Sequence, residues 1–95
     1  MGKLSKELRG AFTIRIILGV LAKGDNYGFA IRHKVNELSE GHIKWSDSSN
    51  YLVLKKMETQ GLIKSYWKIE KNERPRKYYN LQEPGKAEFR NGLKE

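Results

Sequence analysis

Apolar residues recur at helical spacing from the start of the chain. Leu4, Leu8, Ala11, Phe12, Ile16, Leu18 and Val20 form a stripe that Ile14, Ile17 and Leu21 widen, predicting a helix over about 5–22. Ser5 is its expected N-cap. The second half is apolar almost all round, so burial on more than one side is expected, with a second subunit as a candidate cover. Gly24-Asp25-Asn26 breaks the pattern. Tyr27, Ile31, Val35 and Leu38 then fall on one face of a second helix, about 27–39, capped by Asn26 and stopped by Gly41.

His42-Ile43-Lys44-Trp45 alternates, predicting a short strand. Ser46 caps a third helix over about 47–60, with Tyr51, Leu54 and Met57 on one face and Ser49, Leu52, Lys56 and Gln60 roughly opposite. Gly61 falls where a left-handed terminating residue belongs. Residues 62–69 and 76–81 read as two strands of a hairpin, with Asn72 in the turn. Within the first, Ile63, Ser65, Trp67 and Ile69 alternate with Lys64, Tyr66, Lys68 and Glu70. Trp45, Trp67 and Tyr79 read as core positions. Pro84 opens a last helix over about 84–95, with Ala87, Phe89 and Leu93 apolar.

The order helix, helix, strand, helix, strand, strand, helix is that of a winged helix-turn-helix. The expected fold is α+β and mainly helical, with a two-stranded β wing and a short C-terminal helix. The length, 95 residues and 11.1 kDa, fits one domain spanning 1–95.

Charge sharpens the picture. Nineteen Lys and Arg against eleven Asp and Glu leave +8, and residues 61–80 hold six basic and two acidic groups, half of that excess. A basic stretch on a wing points to a polyanion, most often nucleic acid, over a merely solubilising surface. The candidate contacts are Ser48, Ser49, Tyr51, Lys55 and Lys56 on the third helix. Lys68, Lys71, Arg74, Arg76 and Lys77 join them on or beside the wing, and Lys3, Lys6 and Arg9 could add backbone contacts. The serines also serve as helix caps. Tyr51 falls on the expected core face, and a charged hairpin edge also deters edge pairing.

Other classes recede. There is no cysteine, which excludes disulfides, Cys-based zinc and a Cys nucleophile. His33 and His42 cannot build a metal site alone, and no cofactor motif is present. No phosphate loop, H-E-x-x-H or G-x-S-x-G appears, so no enzyme is expected, and Asp25 is read as a turn residue. The longest apolar run, 16–22, is far short of a membrane span, and no signal peptide opens the chain. A soluble, cytoplasmic protein is expected.

Several stretches form an ordered series: Leu8-Arg9-Gly10, Gly24-Asp25-Asn26-Tyr27-Gly28-Phe29-Ala30-Ile31, Tyr51, Leu54-Lys55-Lys56-Met57-Glu58, Gly61-Leu62-Ile63, Ser65-Tyr66-Trp67, Arg76-Lys77-Tyr78-Tyr79-Asn80-Leu81 and Glu83-x-Gly85. Together they resemble the PadR-type transcriptional regulators, particularly a short subgroup that includes drug-sensing repressors. The resemblance spans about 8–86. It departs at Ser49-Asn50-Tyr51-Leu52, where the family carries a Thr-Leu-Tyr-Pro-like run, and at Gln82, often Thr. The family also continues into a long dimerising helix, whereas about eleven residues follow Pro84 here.

The resemblance implies a homodimeric repressor on a pseudo-palindromic operator in double-stranded DNA, released by a small hydrophobic or aromatic effector. Phe12, Arg15, Phe89 and Leu93 are the dimer or effector candidates, with Trp67 as a further border. A winged-helix adaptor between proteins, without sequence-specific DNA binding, is the alternative. An RNA-binding protein is a second, which exposed Trp and Tyr rings would favour.

Overall fold

A computed structural model of the chain describes residues 6–41 and 45–93, with side chains for 10–41 and 45–92. The Ser5 cap, most of the expected 42–45 strand, and the side chains of Lys3, Lys6, Arg9, His42 and Leu93 lie outside these. Trp45, the described end of that strand, is in irregular backbone. The element order is α1 (Lys6–Ala22), β1 (Asn26–Tyr27), α2 (Gly28–Leu38), α3 (Asp47–Thr59), β2 (Ile63–Lys68), β3 (Arg76–Leu81) and α4 (Glu83–Leu93). This is a winged helix, mainly helical, with a small antiparallel sheet.

The two expected wing strands, β2 and β3, are joined by a third, giving a sheet in the order β1-β3-β2. Asn26 and Tyr27 pair with Tyr79 and Tyr78, so the segment read as a break is a short edge strand. That pairing also moves the helix start. Asn26 spends its side-chain oxygen on the Tyr27 N–H, 3.0 Å away, and the N-cap of α2 is Tyr27, with no side-chain cap. Of the hairpin strands β3 has the expected bounds and β2 is one residue shorter at each end than the expected 62–69, and Asn72 takes the left-handed turn conformation at φ 63°.

The core comprises Ile17, Leu18 and Leu21 of α1, Ile31 and Val35 of α2, and Leu54 and Met57 of α3. Ile63, Tyr79 and Leu81 of the sheet complete it. Burial of this apolar set supplies the main driving force for folding. Only one side of α1 is buried by the domain. Ile16 and Val20 are half-buried, and Phe12 is exposed. Leu38, expected in the α2 stripe, is exposed because the helix ends there, and Ser39 turns inward instead.

Both α2 and α3 end in the same way. The Gly61 N–H donates to the Glu58 carbonyl and the Leu62 N–H to the Met57 carbonyl, the paired bonds of a Schellman turn. In α2 the equivalent donors are Glu40 to Glu37 and Gly41 to Asn36. The left-handed conformation there begins at Glu40, at φ 54°, one residue before the expected Gly41, which is itself at φ 78°. An L side chain is strained in that region. Glu40→Gly is therefore expected to raise stability by about 0.5–1 kcal/mol in urea denaturation.

A second glycine is set by space. An added Cβ at Gly85 would overlap the Leu62 carbonyl oxygen and the Leu81 side chain, where α4 crosses the root of the hairpin. The Leu62 carbonyl is held there by the Gln82 N–H at 2.9 Å. Gly85→Ala is expected to lower stability by about 1–3 kcal/mol, the usual cost of overpacking, measured by the same method.

Candidate nucleic-acid interface

The angle at which α3 leaves the domain is set by one polar relay. The Asn36 side-chain oxygen accepts the Trp45 N–H at 2.9 Å, and its amide nitrogen donates to the Trp45 carbonyl at 3.4 Å. The Trp45 indole N–H donates to the Asn50 side-chain oxygen at 3.1 Å, and the Asn50 amide donates to the Gly28 carbonyl at 3.0 Å. Asn50 is 6% exposed. Beside this relay, Arg32 Nε lies 2.7 Å from Asp47 Oδ1, close enough for an ion pair but off line for a hydrogen bond.

The relay reverses one expectation. On the helical wheel Asn50 falls between Leu54 and Met57, with Tyr51 to one side, whereas the sequence reading placed Tyr51 with Leu54 and Met57 on the core face. In the fold Asn50 turns inward and Tyr51 is 55% exposed. A buried amide is tolerated because both its ends are satisfied. Asn50→Ala would leave the Trp45 indole N–H and the Gly28 carbonyl without these partners. It is expected to cost about 2–3 kcal/mol in chemical denaturation; unchanged stability would mean that water replaces both bonds freely.

The outward face of α3 carries Ser48, Tyr51, Leu52, Lys55 and Lys56, all exposed. Ser49 is half-buried in the cap: the Ser46 hydroxyl oxygen accepts its N–H at 3.1 Å and donates to its hydroxyl at 3.1 Å. Ser48 Oγ lies 3.2 Å from the same Ser46 oxygen. The Lys55 ammonium is 5.9 Å from the Tyr51 ring centroid. Leu52, 64% exposed among these polar groups, was outside the candidate set. Its place on the wheel opposite Leu54 and Met57 was the signal.

The wing divides its cations between two faces. Tyr27, Tyr78 and Tyr66 form a row across the outer face of the sheet, with centroids 5.4 and 5.8 Å apart. Arg76 lies 4.6 Å over Tyr27, and Lys68 lies 5.1 Å over Tyr78. These two also approach Glu73 at 3.8 Å and Glu70 at 3.2 Å. Asp25 receives the Tyr66 hydroxyl at 2.7 Å and the Asn80 amide at 2.8 Å, a stronger tie than a turn residue needs. The Asp25 hydrogen bond is the main reason the Tyr66 phenol is held above its ordinary pKa.

On the inner face, Lys77 approaches Glu58 of α3 at 3.8 Å, and Ser65 donates to the same carboxylate at 2.8 Å. Tyr79 lies beneath them. Burial first, then Glu58 and Tyr51, push its phenol above the ordinary value. Lys71 and Arg74 are exposed at the tip, and no ion pair engages them among the described residues. Trp67, expected in the core, is 67% exposed. It stands beyond the point where helices cover the sheet.

The structure thus brings Tyr51, Lys55 and Lys77 to the side where α3 meets the wing, with Lys71 and Arg74 at the tip and Lys56 further round the exposed face of α3. It turns Lys68 and Arg76 to the outer face and folds Ser49 into a cap. Exposed surface ion pairs contribute little, so the wing cations can exchange carboxylates for phosphates at small cost.

Arg15 and Phe89 line an open cavity of about 460 Å³ between α1, the end of α2 and α4, together with Ile16, Val20, Lys34 and Leu38. Phe12 and Trp67 do not line it. Among the described residues no group of three metal-ligating side chains occurs, and no helix is long and apolar enough to cross a membrane.

The sequence profile of the family described as Transcriptional regulator PadR-like matches residues 17–91. A PadR family transcription regulator from Clostridium difficile is 37% identical, with 87% of this chain and 84% of that one covered, at a TM-score of 0.78. Bacillus subtilis PadR in complex with operator DNA is 29% identical over 87% of this chain, with a TM-score of 0.74; the match covers 46% of that protein. A transcriptional regulator from Clostridium thermocellum shares the fold at a TM-score of 0.80 and 24% identity, covering 96% of this chain and 85% of that one.

Proposed function

The chain belongs to the PadR-like family of transcriptional regulators, a family of regulators and not of enzymes, and on that premise we propose that it binds duplex DNA sequence-specifically as a repressor. The observation that carries this reading is the shared orientation of α3 and the wing. Ser48, Tyr51, Leu52, Lys55 and Lys56 project from a helix whose inner face is locked, while Lys77 lies on the α3 side of the hairpin and Lys71 and Arg74 at its tip. A helix of this kind fits a major groove, and the hairpin then meets the adjoining backbone. Phosphate contacts from the lysines and arginines set affinity, and the helix side chains set sequence preference. The similar Bacillus subtilis protein is bound to operator DNA, which supports the same reading.

The protein acts in the cytoplasm as a homodimer on a pseudo-palindromic operator, with half-sites about one helical turn apart. Support comes from α1, whose uncovered side presents Phe12, Ile16 and Val20 next to Phe89 of α4. The cavity bordered by Arg15, Lys34, Leu38 and Phe89 is the place for an aromatic effector. Such a molecule would release DNA by favouring a dimer whose helices no longer match successive grooves.

The test is a titration of labelled duplex from upstream of its own gene, at two salt concentrations, beside a scrambled duplex. Tight binding with preference over the scramble and loss at higher salt is expected; equal weak binding to both would end the operator reading. Lys56→Ala is expected to weaken binding about tenfold or more. Arg76→Ala should cost less, because its guanidinium lies over Tyr27 on the outer face. Light scattering should give a dimer mass; a monomer at micromolar concentration would overturn the homodimer.

A further inference from the structure

Trp67 has an orientation that the register fixes. It pairs directly with Lys77 across the hairpin, and directly paired residues project from the same face. Lys77 reaches Glu58 on α3, so that face is the one turned toward α3. The next pair inward, Ser65 with Tyr79, is covered: Ser65 donates to Glu58, and Tyr79 is buried. The cover ends there. Trp67 therefore stands free beside the exposed flank of α3, followed by the exposed Ile69.

Its neighbours are cationic. Lys77 faces it across the hairpin, and Lys71 and Arg74 occupy the tip beyond, while Lys68, which follows it, turns to the outer face. The tyrosines of the outer face offer no comparable surface, because they stack on one another and under Lys68 and Arg76. A large free indole with Lys77 beside it and Lys71 and Arg74 beyond it, on the side of the wing that faces α3, is matched by a polyanion with apolar sugar edges between its charges. Duplex DNA presents that pattern where the backbone borders the minor groove.

We propose that Trp67 is the wing's apolar contact with duplex DNA, its indole packing on the deoxyribose edge of the minor groove next to the major groove that α3 enters. The proposal rests on the DNA-binding reading above. It assigns Trp67 a part of the affinity that does not come from counterion release. The contact is with the backbone and is independent of base sequence, so a duplex of random sequence tests it.

The experiment measures affinity for a labelled random-sequence duplex of about three helical turns across a series of salt concentrations. The wild type, Trp67→Phe, Trp67→Ala and Lys71→Ala are compared, with thermal unfolding to show that each is folded. Trp67→Ala is expected to weaken binding about tenfold at every salt concentration with the salt slope unchanged, and Trp67→Phe to keep most of the affinity. Lys71→Ala should instead reduce the slope by about one unit. Wild-type affinity in Trp67→Ala beside a weakened Lys71→Ala would place the indole outside the interface and overturn this inference alone. A slope change in Trp67→Ala matching that of Lys71→Ala would also overturn it, since the loss would then be electrostatic. An indole effect confined to single-stranded RNA would overturn it in favour of a stacking platform. Failure of the wild type to bind any duplex would remove the DNA-binding reading together with it.

Discussion

The side-chain amide of Asn50 is the hinge pin of this molecule. It joins the indole of Trp45 to the carbonyl of Gly28, while Asn36 grips the backbone of Trp45 from the other side. Four hydrogen bonds therefore tie the end of α2, the entry to α3 and the first residue of α2 into one unit. Apolar contacts between helices tolerate some sliding. A buried amide with both ends satisfied does not, because any shift leaves a donor or an acceptor unpaired in a dry site. The direction in which α3 presents Tyr51, Leu52, Lys55 and Lys56 follows from that lock.

The wing is built on a different principle. Its inner face stays apolar past the part that α3 covers, with Trp67 exposed beyond, and Glu58 closes the covered part by accepting Ser65 and attracting Lys77. Its outer face is stiffened by three tyrosines and two cations, with Asp25 tying the approach to β1 to both hairpin strands. Six basic residues lie close together over 61–80, yet several already have a carboxylate or a ring nearby. Because such exposed pairs are weak, they hold the cations in place against mutual repulsion without removing them from use.

The third region is the uncovered side of α1. A short chain buries a modest fraction of its surface. Here the apolar residues of α1 exceed what one sheet and three helices can cover. The excess lines the cavity toward α4, where Phe89 lies against Gly19 and an added Cβ would stand 3.4 Å from the ring.

Much of this was legible in the amino-acid order alone. Helices α1 and α3, the hairpin, the Ser46 cap, the Gly61 terminator and the Asn72 turn follow from periodicity and from local backbone preferences, which act within a few residues. The basic wing was legible because charge is counted, not folded. Tertiary structure decided the rest. Asn26-Tyr27 became a strand because β3 offered an unpaired edge. Asn50, between Leu54 and Met57 on the wheel, could be buried because two distant groups, an indole N–H and a carbonyl, satisfy its amide. Trp67 emerged into solvent because alternation tells which face of a strand a residue is on, and only the packing of α3 tells how far along that face the cover extends. Local rules assign each residue a side; the partners found on that side, often distant in sequence, decide whether it is buried.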